Sequence, residues 1–212
     1  MRTTAICLTS GGLDSAVTLA EAIGRHTADN VLALNIIYGQ RHSVESKYAE
    51  ALAAHFGVEF KQVNINLSAM PSSLVDGAAP ADSQYPATFV PGRNILFITY
   101  AAGIGYGLHA YNIWTGVNAI DYSGYPDCRP STIEMLQSTL QLGVHPKIVI
   151  WTPLIVKRKT EIVSMAHRLG ILPMTWSCYN PKQVGNDFVH CGECDSCRIR
   201  ATAAAEIGVK PW

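Results

Sequence analysis

Charge and long apolar runs are what this 212-residue chain has least of. Only 15% of its residues are charged, and 16 Lys plus Arg balance 16 Asp plus Glu. No net field gathers a polyanion, so no nucleic-acid partner is expected. The longest weakly polar stretch, 95–108, falls short of the roughly 20 residues that span a bilayer. It reads as a buried helix, and no membrane contact is expected. The start of the chain has no charged region, long apolar core and cleavage site of the kind that mark a secretory leader. Repeats and low-complexity tracts are missing too, and the chain is expected to be cytoplasmic. Six cysteines in such a protein are metal ligands or buried thiols rather than disulfides. A Walker A loop is excluded, because no Gly-Lys-Ser/Thr follows a glycine-rich turn.

What is present is an alternation of β-branched apolar runs with helical periodicity. Strands are predicted over 3–9, 31–38, 58–65, 112–117 and 147–151. Helices are predicted over 13–25, 44–56 with Gly57 as its C-cap, 95–109, 131–142, 159–170 and 195–207. An irregular segment, 68–92, carries Pro71, Pro80, Pro86 and Pro91 and is expected to act as a substrate lid. The pattern is that of an α/β fold, a parallel doubly wound sheet with helices on both faces. Residues 1–174 are expected to form the nucleotide-binding and catalytic domain, and 175–212 a cysteine-rich module packed on it. Ligands of such sheets sit beyond the carboxyl ends of the strands, so the loops after Thr9, Tyr38 and Val117 should share one crevice.

The first of those loops is Ser10-Gly11-Gly12-Leu13-Asp14-Ser15. Two glycines let the backbone approach an anion closely, and the helix that follows offers free N–H groups and the positive end of its dipole. Ser10 and Ser15 add hydroxyl donors. Asp14 is placed to hold magnesium or to cap the helix. An ATP polyphosphate is the expected ligand.

Late in the chain, Cys191-Gly-Glu-Cys194-Asp-Ser-Cys197 supplies three thiols at two-residue gaps, with Cys178 thirteen positions earlier as a fourth. Four thiolates make a closed tetrahedral zinc site, structural rather than catalytic. An iron–sulfur cluster, a redox Cys-x-x-Cys pair, or His190 in place of Cys178 are the alternatives. Cys7, inside the first strand, reads as a small buried hydrophobe.

Three further motifs follow strand ends: Tyr38-Gly-Gln-Arg41-His42, Phe89-Val-Pro-Gly-Arg93-Asn94, and Asp121-Tyr122-Ser-Gly-Tyr125-Pro-Asp127-Cys128-Arg129. With SGGLDS and the cysteine pattern they resemble the 7-cyano-7-deazaguanine synthase family of the PP-loop ATP pyrophosphatase superfamily. The resemblance runs from Ser10 to Arg200. It implies an adenine nucleotide alpha hydrolase-like fold and a ligase that turns 7-carboxy-7-deazaguanine, ammonia and ATP with magnesium into the nitrile, with one structural zinc per subunit and often a homodimer.

By that likeness Thr9, Ser10, Gly11, Gly12, Leu13, Asp14, Ser15, Ala16, Val17, Thr18 and Leu19 bind ATP, and Cys178, Cys191, Cys194 and Cys197 bind zinc. A carboxylate becomes electrophilic only after its oxygen is activated, so cationic groups should outnumber nucleophiles. Arg93 and Lys159 are the expected cations beside Asp14 and Ser15. Arg41, Asn94, Asp121, Tyr122, Tyr125, Asp127 and Arg129 are the expected substrate contacts. The interval from Cys178 to Cys191 is longer than is usual for the family.

Overall fold

The protein is described here by a computed structural model covering residues 3–40, 44–75, 78, 83–120, 125–185 and 187–212. Arg41, Asp121 and Tyr122 lie outside the described residues.

Strand β1, Ala5–Leu8, is flanked on both sides, by β2 (Val31–Ile37) and β4 (Asn112–Trp114). That position demands apolar residues on both faces, and alternation sends them to different cores. Ala5 and Cys7 join one; Ile6 joins the other. β3 (Glu59–Asn64) and β5 (Val149–Trp151) close the edges, and the five strands run parallel in the order β3-β2-β1-β4-β5. Helices α1 (Leu13–His26), α2 (Val44–Phe56), α5 (Lys159–Arg168) and α6 (Asp195–Glu206) cover one face through Val17, Leu52, Ile162 and Ala203. The other face packs α3 (Arg93–Leu108) and α4 (Pro130–Gly143) through Ile98, Ala102, Ile133 and Leu136. The chain order reverses between β1 and β4, which opens a crevice at their carboxyl ends.

Local chemistry explains where the elements begin and end. Gly57, at φ 66°, closes α2 as expected. Gly92, at φ 71°, starts α3 two residues earlier than periodicity predicts, and Asp127 fixes that start by accepting the Asn94 N–H at 2.9 Å. β4 stops at Trp114 rather than reaching 117, because the next residues turn onto α1. A Cβ on Gly116 would lie 2.9 Å from the Asp14 carbonyl carbon. The long Cys178–Cys191 interval holds an unpredicted antiparallel hairpin, β6 (Lys182–Val184) with β7 (Asp187–Val189).

The expectation of a buried helix over 95–108 is corrected. Ile98, Ala101 and Ala102 are buried, but Leu96, Tyr100 and Tyr106 face outward, and Cβ atoms on Gly103 and Gly107 would meet nothing. Only Gly105 packs tightly, against the Ala110 carbonyl. Cys7 is fully buried as expected, and burial pushes its thiol up to about 12. No helix among the described residues is long and apolar enough to cross a membrane.

Candidate active site

The 10–15 turn lies flat against α2. Gly11 has φ 95°, and a Cβ there would fall 2.1 Å from the Glu45 carbonyl oxygen and 2.7 Å from the Ala49 nitrogen, so backbone meets backbone. Gly12 is the N-cap of α1 and supplies no side chain. The two serines hold the turn from within. Ser15 Oγ accepts the N–H groups of Ser10 and Gly11, both at 3.2 Å, and donates to the Gly12 carbonyl at 2.9 Å. Ser10 Oγ accepts the Gly12 N–H at 3.1 Å. Three backbone donors thus converge on oxygen atoms at a helix N-terminus, the geometry that suits a phosphate.

Asp14 does not cap α1. Its carboxylate oxygens instead receive Lys159 Nζ at 2.8 and 2.9 Å. Lys159 opens α5, whose start is fixed by the Arg158 N–H donating to Glu161 Oε2 at 2.8 Å. Asn118 ties the loop after β4 to the turn before α5, donating to the Leu154 and Lys157 carbonyls at 2.8 and 2.7 Å. The two loops at the sheet's switch point are therefore locked together around the 10–15 turn.

In front of the turn is a cavity of about 560 Å³. Its near wall holds Ser10, Gly12, Asp14, Ser15 and Lys159; its far wall is aromatic and cationic, with Tyr38, Arg93, Phe97, Tyr125 and Tyr179. Arg93 donates to the Tyr38 hydroxyl at 3.1 Å, and its guanidinium lies 5.5 Å from that ring's centroid. Burial opposes the Arg93 charge, but the phenols of Tyr38 and Tyr179 and the Asp127 carboxylate outweigh it, and its pKa rises. Burial pushes the Tyr38 and Tyr179 phenols upward as well. Glu45, on the first turn of α2, also lines the cavity; burial raises its carboxyl to about 7 against the pull of Arg93. Ser73, Leu74, Pro86 and Thr88 of the 68–92 segment form the roof, with Thr88 Oγ1 3.0 Å from the Tyr125 hydroxyl.

The four late cysteines meet beside this cavity, all four sulfurs within 4.8 Å of one another. The edge of a four-thiolate zinc tetrahedron is about 3.8 Å, as metal–sulfur bonds of about 2.3 Å require. Cys191 Sγ accepts the N–H groups of Glu193 and Cys194 at 3.4 and 3.3 Å, and Cys178 Sγ accepts the Cys191 N–H at 3.3 Å. Burial pushes the Cys191 thiol up, but those N–H donors prevail and bring it down to about 7, favouring thiolate. The cluster could hold a metal ion. His190 is not part of it: the ring is stacked between Trp176 and Trp212, with centroids 4.1 and 4.9 Å away.

Residues 4–208 match the family model described as queuosine biosynthesis protein QueC. The chain belongs to that family. The 7-cyano-7-deazaguanine synthase of Synechococcus sp. (strain CC9902) is 41% identical, with 97% of this chain and 94% of that protein covered. The enzyme of the same name from Chromobacterium violaceum is 40% identical over 97% of this chain and 90% of its own length. Among solved structures, NMN synthetase from Francisella tularensis superposes with a TM-score of 0.54 at 15% identity, covering 99% of this chain and 74% of that one. The U34-tRNA thiolase NcsA from Methanococcus maripaludis, solved with its [4Fe-4S] cluster, gives a TM-score of 0.51 at 17% identity over 80% of this chain and 58% of its own. At such identities the two structures speak for a shared fold.

For a member of this family, the cavity gathers much of the expected site and leaves part of it elsewhere. Thr9, Ser10, Gly12, Leu13, Asp14, Ser15, Arg93, Asn94, Tyr125 and Lys159 line it. Gly11 lies beneath the turn, and Ala16, Val17, Thr18 and Leu19 are buried in the helix away from the opening, so of the residues 9–19 expected to contact a nucleotide only the first part borders the cavity. Asp127 is buried and taken by Asn94, whose N–H and Nδ2 donate to it at 2.9 and 3.1 Å; it builds the α3 cap and does not reach the cavity. Arg129 is exposed at the start of α4. Sequence reading missed Glu45, Tyr179 and Arg200 as cavity residues. Glu45 sits in an ordinary amphipathic helix, so no local pattern separates it from surface charge. Arg200 ends the Cys194-x-x-Cys197-x-x-Arg200 pattern that belongs to the family resemblance, but that spacing does not place it at the cavity.

Proposed function

We propose that this protein converts 7-carboxy-7-deazaguanine and ammonia into 7-cyano-7-deazaguanine at the expense of ATP. The observation that carries the reading is the 10–15 turn, of which Ser10, Gly12, Leu13, Asp14 and Ser15 line the cavity at the switch point of a chain that matches the QueC family over almost its whole length. The turn would hold the polyphosphate, with Lys159 released from Asp14 to the phosphates. A substrate carboxylate oxygen attacks the α-phosphorus in line, and pyrophosphate leaves. Ammonia displaces the nucleotide to give the amide, and a second activation at the amide oxygen followed by elimination leaves the nitrile. Magnesium enters with ATP, and Asp14 is the carboxylate at the turn suited to it.

The flat heterocycle fits the aromatic end of the cavity. Tyr125 stands 4.9 Å from Phe89, and Phe97 stands 5.4 Å from Tyr38, leaving π-faces for stacking. Arg93 lies near enough to offset the charge of a carboxylate. Zinc suits the four-thiolate cluster; with no vacant position it would hold structure rather than react. The open apolar face of α3, with Leu96, Tyr100 and Tyr106 around Gly103 and Gly107, supports a homodimer, and six free cysteines support a reducing cytoplasmic setting.

The test is incubation with MgATP, ammonium and 7-carboxy-7-deazaguanine, with products identified by mass spectrometry. The nitrile, pyrophosphate and AMP are expected. No turnover rejects the reading, and amide without nitrile removes its second activation.

A further inference from the structure

We propose that Glu45 is a catalytic residue, binding ammonium in the cavity and taking the proton that must leave before the nitrogen can attack. The inference deepens the function proposed above and rests on ammonia being the nitrogen donor. The carboxylate stands beside the nucleotide turn: a Cβ on Gly12 would lie 3.5 Å from Glu45 Oε1. It lines the cavity, yet among the described residues it accepts no hydrogen bond and joins no ion pair. Such a group in a low-dielectric wall seeks a cation with N–H donors.

The surroundings fit a small ammonium ion. The Tyr38 and Tyr179 phenols lie close enough to feel the Glu45 charge; Tyr38 is engaged by Arg93 through its hydroxyl and ring, and Tyr179 lines the cavity as the second aromatic group near the carboxylate. Magnesium fits them less well, since it wants an octahedron of oxygens and bound waters. Arg93, on α3, faces Glu45 from across the cavity and moderates its basicity. Of the other carboxylates that line the cavity, Asp14, on the other side of the turn, is paired with Lys159 and suited to magnesium once ATP binds, and Asp195 is exposed at the start of α6, which leaves Glu45 to act as a base. A carboxyl raised to about 7 changes protonation state near neutral pH, as a general base should.

The step balances without another reactant. Ammonium gives one proton to Glu45 and becomes ammonia, whose lone pair forms the carbon–nitrogen bond. The carbon–oxygen bond to the nucleotide breaks, and AMP leaves with the electron pair. The tetrahedral nitrogen loses its extra proton to water, and Glu45 returns its own to solvent.

The experiment separates activation from nitrogen transfer in Glu45→Gln and Glu45→Asp, with metal content and thermal melting checked first. Carboxylate-dependent exchange of labelled pyrophosphate into ATP reads the first step, which needs no ammonia. It is expected to be unchanged in Glu45→Gln, while turnover with ammonium falls about 100-fold and partly recovers in Glu45→Asp. Hydroxylamine, uncharged at neutral pH, needs no base, and hydroxamate formation in Glu45→Gln should match the parent. Loss of exchange would assign Glu45 to ATP or its magnesium and overturn the proposal, as would an equal loss with hydroxylamine. Absence of exchange in the parent protein would instead remove the adenylation on which both readings stand.

Discussion

The Trp176 N–H donates to the Gly11 carbonyl at 2.9 Å, joining the segment that enters the cysteine cluster to the middle of the 10–15 turn. The Trp176 indole then donates to the Cys178 carbonyl at 3.0 Å. Turn and cluster thus share one short stretch of chain. A metal held by Cys178 would fix Trp176, and through it the backbone that is to grip phosphate. Stripping the metal with a chelator should therefore weaken ATP binding about tenfold, a coupling of about 1.4 kcal/mol, and readdition should restore it. Titration calorimetry before and after chelation reads this. Equal affinity for ATP in metal-free, still folded protein would show the two sites to be independent.

Arg200 fixes the same stretch from the other side. It is buried, donating to the Leu172 and Thr175 carbonyls at 2.7 and 3.1 Å, to Ser177 Oγ at 2.9 Å and to the Pro211 carbonyl. Burial brings its pKa down to about 10, so it stays charged at neutral pH. Arg200→Ala leaves the Thr175 and Pro211 carbonyls without a donor, at about 1–3 kcal/mol for each, while the Leu172 carbonyl keeps the Thr175 hydroxyl at 2.8 Å. The space of a fully buried side chain is emptied as well, so the total is several kcal/mol. Urea denaturation should show a loss of at least about 3 kcal/mol. Lysine, with a single ammonium in place of the planar fork, should recover only part of it. A loss below about 1 kcal/mol would mean that water replaces the guanidinium.

Asp14 and Lys159 are 145 positions apart and meet at 2.8 Å. Lys159→Ala should lower the rate of nucleotide activation at least about 100-fold through lost charge stabilisation and leave the metal cluster loaded. Asp14→Asn should abolish turnover with the fold intact. Steady-state rates beside metal analysis check both, and normal turnover by either variant would take that residue out of the mechanism.

Much of this was legible in the chain because the signals were local. The strand-turn-helix around SGGLDS places its own backbone donors, and the Cys-x-x-Cys spacing aims its own sulfurs. The central strands announce themselves through two-sided apolar runs. What stayed hidden depends on distant partners. Asp127 reads as a loop acid free for substrate until Asn94, 33 positions away, takes it. Glu45 is one helical glutamate among several until folding brings it beside Gly12. The exposed side of α3 shares its composition with a buried helix, so hydropathy alone could not assign it.

That outer side of α3 is the surface on which a second copy is expected to sit. Gly103 and Gly107 let a facing backbone approach closely, and Leu96, Tyr100 and Tyr106 supply the apolar contact. Tyr100→Glu should place a charge in the contact and yield monomers by sedimentation velocity. The parent protein should sediment as a dimer. A dimer unaffected by the substitution would locate the interface elsewhere.

Glu45 should leave a signature on stability as well as on rate. Its carboxyl is raised in the folded protein from 4.5 to about 7. Between those values the folded state holds a proton that the unfolded chain has lost, so stability falls as pH rises through that window and levels off above it. Glu45→Gln carries no such proton. The variant should therefore gain on the parent by about 1 kcal/mol between pH 6 and pH 8, a discounted share of the roughly 1.4 kcal/mol that each pKa unit carries. Urea denaturation of both proteins at the two pH values, with metal bound throughout, isolates the effect because every other group titrates alike in the pair. A difference that does not change with pH would show that Glu45 ionises as an ordinary surface acid, and the burial that makes it a suitable base would be absent.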